Sequence, residues 1–174
     1  GELGGTVVDI PSDVMHADRE PIHDVARNLE RWVDAVVIRT FAQARLSIFT
    51  ESAPDLRIVN ALSDEEHPCQ ALADLYTMRE QFGKLDGLTL AWVGDGNNVA
   101  RSLAEACGHL GVKFNVCTPP GYELDAAFIK ETKQQIPALE ITTTHDPKAA
   151  VRDAAAVYTD VWASMGQEAE TEKR

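Results

Sequence analysis

Short runs of β-branched and apolar residues alternate with helical patterns along nearly the whole chain, and this alternation restricts the fold more than any other feature. The predicted strands cover residues 6–10, 35–39, 57–61, 88–93, 113–117, 139–143 and 155–160. The predicted helices cover residues 21–32, 43–52, 68–82, 99–110 and 125–135, and another begins at Pro147. Strands that alternate with helices form βαβ units with parallel strands. The sequence therefore predicts an α/β fold with doubly wound parallel sheets. It also predicts that helix 68–82 connects two such sheets.

Charge and cysteine content exclude several classes of protein. The 174 residues carry 16 Lys and Arg against 28 Asp and Glu, a net charge of −12, which repels the phosphates of nucleic acids and of anionic membranes. No apolar run approaches the ~18–20 residues that span a bilayer. The 3 cysteines show no C-x-x-C spacing, so we expect neither a zinc site nor a disulfide framework, and we expect a reducing, cytoplasmic location.

Polar residues that follow strands, or that begin the connector helix, are the candidates for a ligand site, because ligands bind beyond the carboxyl ends of parallel strands. They are Arg39, His67, Gln70, Asp95, Asn97, Asn98, Asp160, Ser164 and Met165. Taken singly, Arg39 could form an internal salt bridge or bind an anion. Asp160 could cap a helix or receive a cation, and the segment from Ser164 could close a turn or direct backbone groups into a pocket.

The turn Gly94-Asp95-Gly96-Asn97-Asn98 lies between a predicted strand and a predicted helix. This pattern partly matches a dinucleotide fingerprint, but Val99 stands where the third glycine is needed, and the next strand ends without an acidic residue. Two other interpretations stay open: a tight turn with an Asx-type N-cap, or a small polar ligand at the helix N-terminus, where the dipole and free N–H groups favour a carboxylate.

The sequence His67-Pro68-Cys69-Gln70 begins the connector helix. Proline suits the first helical position, which makes His67 the cap and puts Gln70 in the first turn. An imidazole can donate to a carbonyl and a Gln amide can bind an adjacent NH₂ group, although a histidine at a cap can equally be structural. We expect Cys69 to be a small buried group rather than a nucleophile.

Three stretches together resemble ornithine carbamoyltransferases, within the aspartate/ornithine carbamoyltransferase family. These are residues 60–74, which contain the His-Pro-x-Gln element, residues 92–99, and residues 159–168, which contain Ser-Met-Gly. The His-Pro-x-Gln element is shared with other carbamoyltransferases, whereas Ser-Met-Gly indicates ornithine as the acceptor.

The resemblance implies transfer of the carbamoyl group from carbamoyl phosphate to the δ-amino group of L-ornithine, giving L-citrulline and phosphate, as in arginine biosynthesis and the urea cycle. Arg39, His67 and Gln70 match the family's carbamoyl-phosphate ligands, and Arg39 and His67 would be catalytic. Ornithine binding falls on Asn98, Asp160, Ser164 and Met165. The resemblance implies no metal and no organic cofactor, and a homotrimer when the enzyme is complete.

Family elements are missing at both ends: the Ser-x-Arg-Thr phosphate loop, and a His-Cys-Leu-Pro segment with a following Arg. We therefore expect residues 1–80 to be the second half of a carbamoyl-phosphate domain with its connector helix, and residues 81–174 the first part of an ornithine domain. Such a fragment should be inactive by itself. The alternatives are a carbamoyltransferase for another amine, or a non-catalytic remnant of the fold.

Overall fold

The computed structural model describes residue 2 and residues 4–10 and 20–160, and all structural statements below concern these residues. Helices and strands alternate as the sequence predicts. In chain order they are α1 (Ile22–Glu30), β1 (Ala35–Arg39), α2 (Gln43–Ser52), β2 (Arg57–Leu62), α3 (Pro68–Phe82), β3 (Thr89–Val93), α4 (Asn98–Leu110), β4 (Lys113–Cys117), α5 (Ala126–Gln135), β5 (Ile141–Thr144), α6 (Pro147–Ala150) and β6 (Ala156–Thr159).

One predicted strand is wrong. Residues 6–10 form no strand, and Val7 and Val8 are 83% and 71% exposed. A β-branched run becomes a strand only where a neighbouring strand accepts and donates its backbone hydrogen bonds. The two sheets among the described residues contain no strand from this segment.

The chain divides into two compact units, residues 1–60 and 61–174. In the first unit, α1 packs against α2, and β1 pairs with β2 in a two-stranded sheet. Its core is formed by apolar side chains from the helices, β1 and the turn before β2: Ala26, Leu29, Ile38, Leu46, Phe49, Ala53 and Leu56. This unit therefore has a small apolar core of its own.

The second unit contains a four-stranded sheet with the order β5-β4-β3-β6. Each neighbouring pair is parallel. The chain moves outward from β3 through β4 to β5, and then returns to place β6 on the other side of β3. This reversal is a topological switch point, as expected of a doubly wound sheet, and the ligand crevice of such sheets lies beyond the carboxyl ends of the two strands at that point.

Helices α3 and α4 pack against each other in this unit. From α3, Ala71, Leu75 and Met78 enter the same apolar cluster as Trp92 and Phe114 of the sheet. The i, i+4, i+7 spacing places the three α3 residues on one face. Helix α4 ends at Gly111. The φ angle of Gly111 is 67°, in the left-handed region, which glycine adopts without strain.

The prediction that Cys69 is buried is wrong, since its side chain is exposed. Cys69 lies two residues before Ala71, which is about 200° around the helix. The face of α3 that carries Ala71 packs into the core, so Cys69 points away from it.

The contact-based boundary after residue 60 assigns α3 to the second unit, and the role of α3 as a connector stays a prediction, as does the domain boundary at residue 80. Among the described residues, no helix is long and apolar enough to cross a membrane.

Candidate functional site

The switch point of the second unit brings two of the predicted site residues together. Asn97 lies in the loop after β3, and Asp160 directly follows β6. The Asn97 Nδ2 group donates a hydrogen bond of 2.7 Å to Asp160 Oδ2. The loops after the two parallel neighbours β3 and β6 are therefore joined at the point where sheet topology predicts a ligand crevice.

Asn97 also caps α4. Its Oδ1 accepts the backbone N–H groups of Val99 and Ala100 at 3.0 and 3.1 Å, which satisfies two donors that the first turn of a helix leaves open. The N-cap interpretation of this turn is confirmed. Both ends of the Asn97 amide are engaged inside the protein, so its contribution to the site is to hold the loop.

Packing explains why glycine stands at position 96. A Cβ there would come within 2.6 Å of the carbonyl carbon of Glu123 and 2.8 Å of the Cα of Leu124. The Gly96 N–H donates to Tyr122 O at 2.7 Å, which keeps the two backbones in contact. The second glycine of the Gly-x-Gly pattern therefore has a structural cause that needs no dinucleotide.

Asn98 begins α4 and is oriented by the loop that precedes α3. Its Nδ2 group donates to Ser63 O at 2.7 Å. A carbonyl can only accept, so this contact assigns the amide: the NH₂ group faces Ser63. The end of Asn98 that remains for a ligand is its oxygen, which accepts hydrogen bonds from an amine or ammonium.

His67 and Pro68 form the start of α3 as predicted. His67 is the N-cap residue and Pro68 occupies the first helical turn. The backbone N–H of His67 donates to Ser102 Oγ at 2.9 Å. The side chain of His67 makes no capping hydrogen bond, so it does not close the helix end.

Gln70 lies in the first turn of α3 and is oriented by Asp74, one turn further along. Its Nε2 group donates to Asp74 Oδ1 at 2.8 Å. Because an ionised carboxylate only accepts hydrogen bonds, the Gln70 amide must direct its NH₂ group toward Asp74. The Gln70 oxygen is then the end left for a ligand. Burial raises the pKa of Asp74, while hydrogen bonds from Gln70 and Tyr158 and the nearby His67 partly offset the rise.

Tyr158 connects this pair to the sheet. Its ring stacks on Trp92 with centroids 5.2 Å apart, across the β3–β6 register in which the two residues are partners. Burial, followed by the charge and hydrogen bond of Asp74, raises the pKa of Tyr158 to about 12. Its hydroxyl therefore stays protonated and can donate to Asp74 at neutral pH.

Sequence reasoning missed Asp74, Tyr158 and Ser102 as parts of this region. The Gln70-to-Asp74 spacing of i, i+4 on a helix is a signal that could have found Asp74, because such pairs are neighbours. Tyr158 and Ser102 have no comparable local signal, since their partners are 84 and 35 residues away along the chain.

The other predicted site residues are less closely described. Arg39 ends β1 in the first unit and is exposed. Ser164 and Met165 lie outside the described residues. Within the part of the chain that the structure describes, no group of three or more His, Cys, Asp or Glu side chains could hold a metal ion.

Comparison with known proteins covers both parts of the chain. The family profile described as the aspartate/ornithine carbamoyltransferase carbamoyl-P binding domain matches residues 1–80. The profile described as the Asp/Orn binding domain of the same family matches residues 86–174.

Individual relatives agree with the profiles. The ornithine carbamoyltransferase of Nostoc punctiforme is 46% identical over 99% of this chain and 57% of the relative. The crystal structure of ornithine carbamoyltransferase from Gloeobacter violaceus superimposes with a TM-score of 0.81 at 45% identity, over 92% of this chain and 53% of that one. The enzyme from Pyrococcus furiosus gives a TM-score of 0.83 at 46% identity, over 91% and 51%.

The fold is that of a parallel α/β protein, and the candidate site lies at the topological switch point of its four-stranded sheet. Within that class, the chain belongs to the aspartate/ornithine carbamoyltransferase family. It spans about half the length of the curated relatives it matches.

Proposed function

We propose that the protein carrying this chain transfers the carbamoyl group of carbamoyl phosphate to the δ-amino group of L-ornithine, giving L-citrulline and phosphate. The observation that carries the proposal is the orientation of two amides in the second unit. Gln70 and Asn98 both have their NH₂ groups engaged by the protein, so both offer oxygens to a ligand. A carbamoyl NH₂ group and an ornithine amine are both hydrogen-bond donors, and they complement these oxygens.

In this proposal, His67, Gln70 and Arg39 bind carbamoyl phosphate. The Gln70 oxygen accepts from the carbamoyl NH₂ group, while the His67 imidazole donates to the carbamoyl carbonyl oxygen. Arg39 supplies a fixed positive charge for an anionic substrate on a chain of net charge −12. Donors aimed at the carbonyl oxygen stabilise the negative charge that develops there during attack, so Arg39 and His67 are the catalytic residues.

The acceptor is assigned to Asn98, Asp160, Ser164 and Met165. The Asn98 oxygen receives an ornithine ammonium or amine, Asp160 supplies a negative charge close to it, and Ser164 with Met165 contact the amino-acid end. The unprotonated δ-nitrogen forms a bond to the carbamoyl carbon. The bond from that carbon to the phosphate oxygen breaks, its electron pair leaves with phosphate, and the nitrogen loses a proton. The protein's main contribution is to hold two small substrates in line.

The wider setting belongs to the same proposal. We place the reaction in arginine biosynthesis, in the cytoplasm, in an enzyme that forms a homotrimer when complete. What supports a reducing compartment is the cysteine pattern of the sequence, since the 3 cysteines show no C-x-x-C spacing. Burial raises the pKa of Cys107 to about 12, so this thiol stays protonated and chemically inert.

Alanine substitutions at Arg39 and Asn98 test the division of the two substrate sites in the full-length gene product. Arg39→Ala should lower kcat/KM for carbamoyl phosphate by at least 100-fold, about 3 kcal/mol, since a charge-assisted contact to the substrate is lost. Asn98→Ala should raise KM for ornithine more than KM for carbamoyl phosphate. Asn115→Ala is the matched control, because Asn115 also donates to a backbone carbonyl, that of Ala150, but lies on β4. Unchanged ornithine kinetics in Asn98→Ala would refute the assignment of that site.

A further inference from the structure

The loop of residues 63–67 is fastened to the first turns of α4 at both of its ends. Asn98 Nδ2 donates to Ser63 O at 2.7 Å, and the His67 N–H donates to Ser102 Oγ at 2.9 Å. Asn98 and Ser102 are four residues apart, so they lie one above the other on the same face of the helix. The position of His67 is therefore set by α4.

The loop between these contacts is closed on itself by hydrogen bonds between Ser63 and Glu66. The Ser63 N–H donates to Glu66 O at 2.8 Å, and the Glu66 N–H donates to Ser63 Oγ at 2.9 Å. Ser63 is fully buried. Displacing either end of the loop would therefore move His67, which directly follows Glu66.

Ser102 is a buried polar residue with a defined set of partners. It is 4% exposed, and a hydroxyl at that depth must be hydrogen-bonded. Its oxygen accepts from His67, and its proton is donated to the carboxyl group of Glu66. Arg101 holds Glu66 from the other side, with Nε 3.5 Å from Glu66 Oε1, and its guanidinium stacks 4.3 Å above the ring of Phe128.

We propose that Ser102 is a positioning residue for carbamoyl transfer, which fixes the His67 backbone so that the imidazole is aimed at the carbamoyl carbonyl. In that case the single helix α4 carries Asn98, which binds ornithine in the proposed function, and also holds the loop of His67, which binds carbamoyl phosphate. The helix therefore sets the spacing of the two substrates. This inference rests on the proposed function, in which His67 contacts carbamoyl phosphate.

Substitution of Ser102 in the full-length gene product provides the kinetic test. Ser102→Ala should lower kcat by about 10- to 100-fold, because a misplacement of about 1 Å can cost about 100-fold in rate. Ser102→Thr keeps the hydroxyl and should recover kcat to within about threefold, less than 1 kcal/mol. Cys107→Ala is the control: Cys107 is fully buried on the same helix, five residues beyond Ser102, and belongs to the apolar cluster of the second unit. Its kcat should be unchanged even where its Tm falls.

Hydrogen exchange supplies a second measurement that needs neither activity nor a folded variant. The His67 amide proton should exchange much more slowly than the amide of exposed Glu65, because it is bonded to a buried hydroxyl. Equal exchange rates at the two positions would overturn the proposal.

Comparison of two variants separates failure of this inference from failure of the proposed function. If His67→Ala leaves carbamoyl-phosphate kinetics unchanged, the proposed role of His67 is wrong. If His67→Ala impairs those kinetics but Ser102→Ala matches Cys107→Ala in kcat, or Ser102→Thr fails to recover it, only the positioning role is overturned.

Discussion

Three side-chain amides at the start of α3 and α4 show how an identical functional group acquires different tasks from its partners. Asn97 uses its oxygen for the α4 cap and its NH₂ group for Asp160. Gln70 and Asn98 direct their NH₂ groups to Asp74 Oδ1 and to Ser63 O, respectively. The sequence was enough to select all three amides as candidate site residues. The direction of each amide depends on its hydrogen-bond partner in the folded protein, which the sequence alone did not identify.

Glu66 provides a test of the loop at the level of a single ionisable group. Burial raises its pKa above the ordinary value of 4.5, with nearby Glu105 adding to the rise and Ser102 and Arg101 opposing it. Below pH 4.5 the carboxyl is protonated in both the folded and the unfolded states. As the pH rises above that value, the unfolded state loses its proton first, so the free energy of unfolding falls.

We therefore expect Glu66→Gln to gain stability relative to the wild type as the pH rises through and above 4.5, measured by urea unfolding at a series of pH values. Glutamine does not titrate but still accepts a hydrogen bond from Ser102. Glu123→Gln is the control with the opposite sign, because hydrogen bonds from backbone N–H groups lower the pKa of that carboxyl. A Glu66→Gln difference that is flat or falls with pH would contradict the structure of this loop.

Helices and strands of the second unit begin and end within one or two residues of their predicted bounds. Local signals suffice there: Pro68 starts α3, Gly111 ends α4, and short runs rich in apolar or β-branched residues mark the strands. The order of the strands was not predictable in the same way, because β6 pairs with β3 across more than 60 residues. Residues 6–10 show that a local pattern can also mislead: they have the composition of a strand, but no described strand pairs with them.

The two glycines of the turn after β3 give a matched pair for testing this element. Gly96→Ala should destabilise the protein by about 1–3 kcal/mol, since the added methyl group overlaps the backbone before Leu124. Gly94→Ala meets only the Trp92 ring at 3.6 Å, ordinary van der Waals contact, and should change stability by less than about 1 kcal/mol. Urea unfolding measures both. Equal losses in the two variants would show that the close approach of the two backbones is not the reason for glycine at 96.

At the scale of the whole chain, the proposed function requires a net charge of −12 to coexist with a substrate that is itself an anion. Local groups can reverse the overall field at a site: in the proposed function the N-terminus of α3, which favours negative charge, is one of them. Composition alone predicts that polyanionic partners are disfavoured, and it gives no information about a small-anion site of the kind inferred in the proposed function. That inference required the spacing of particular residues and their family resemblance.

The most direct test of the central claim is the initial rate of product formation by the full-length gene product with carbamoyl phosphate and each of three acceptors: L-ornithine, putrescine and N-acetylornithine. We expect phosphate release coupled one-to-one to L-citrulline with ornithine, and kcat/KM at least about 100-fold lower with the other two amines, because each lacks a charged group that the acceptor site would bind. Faster transfer to putrescine or N-acetylornithine would contradict ornithine as the substrate, and no transfer to any of the three would contradict carbamoyl transfer itself.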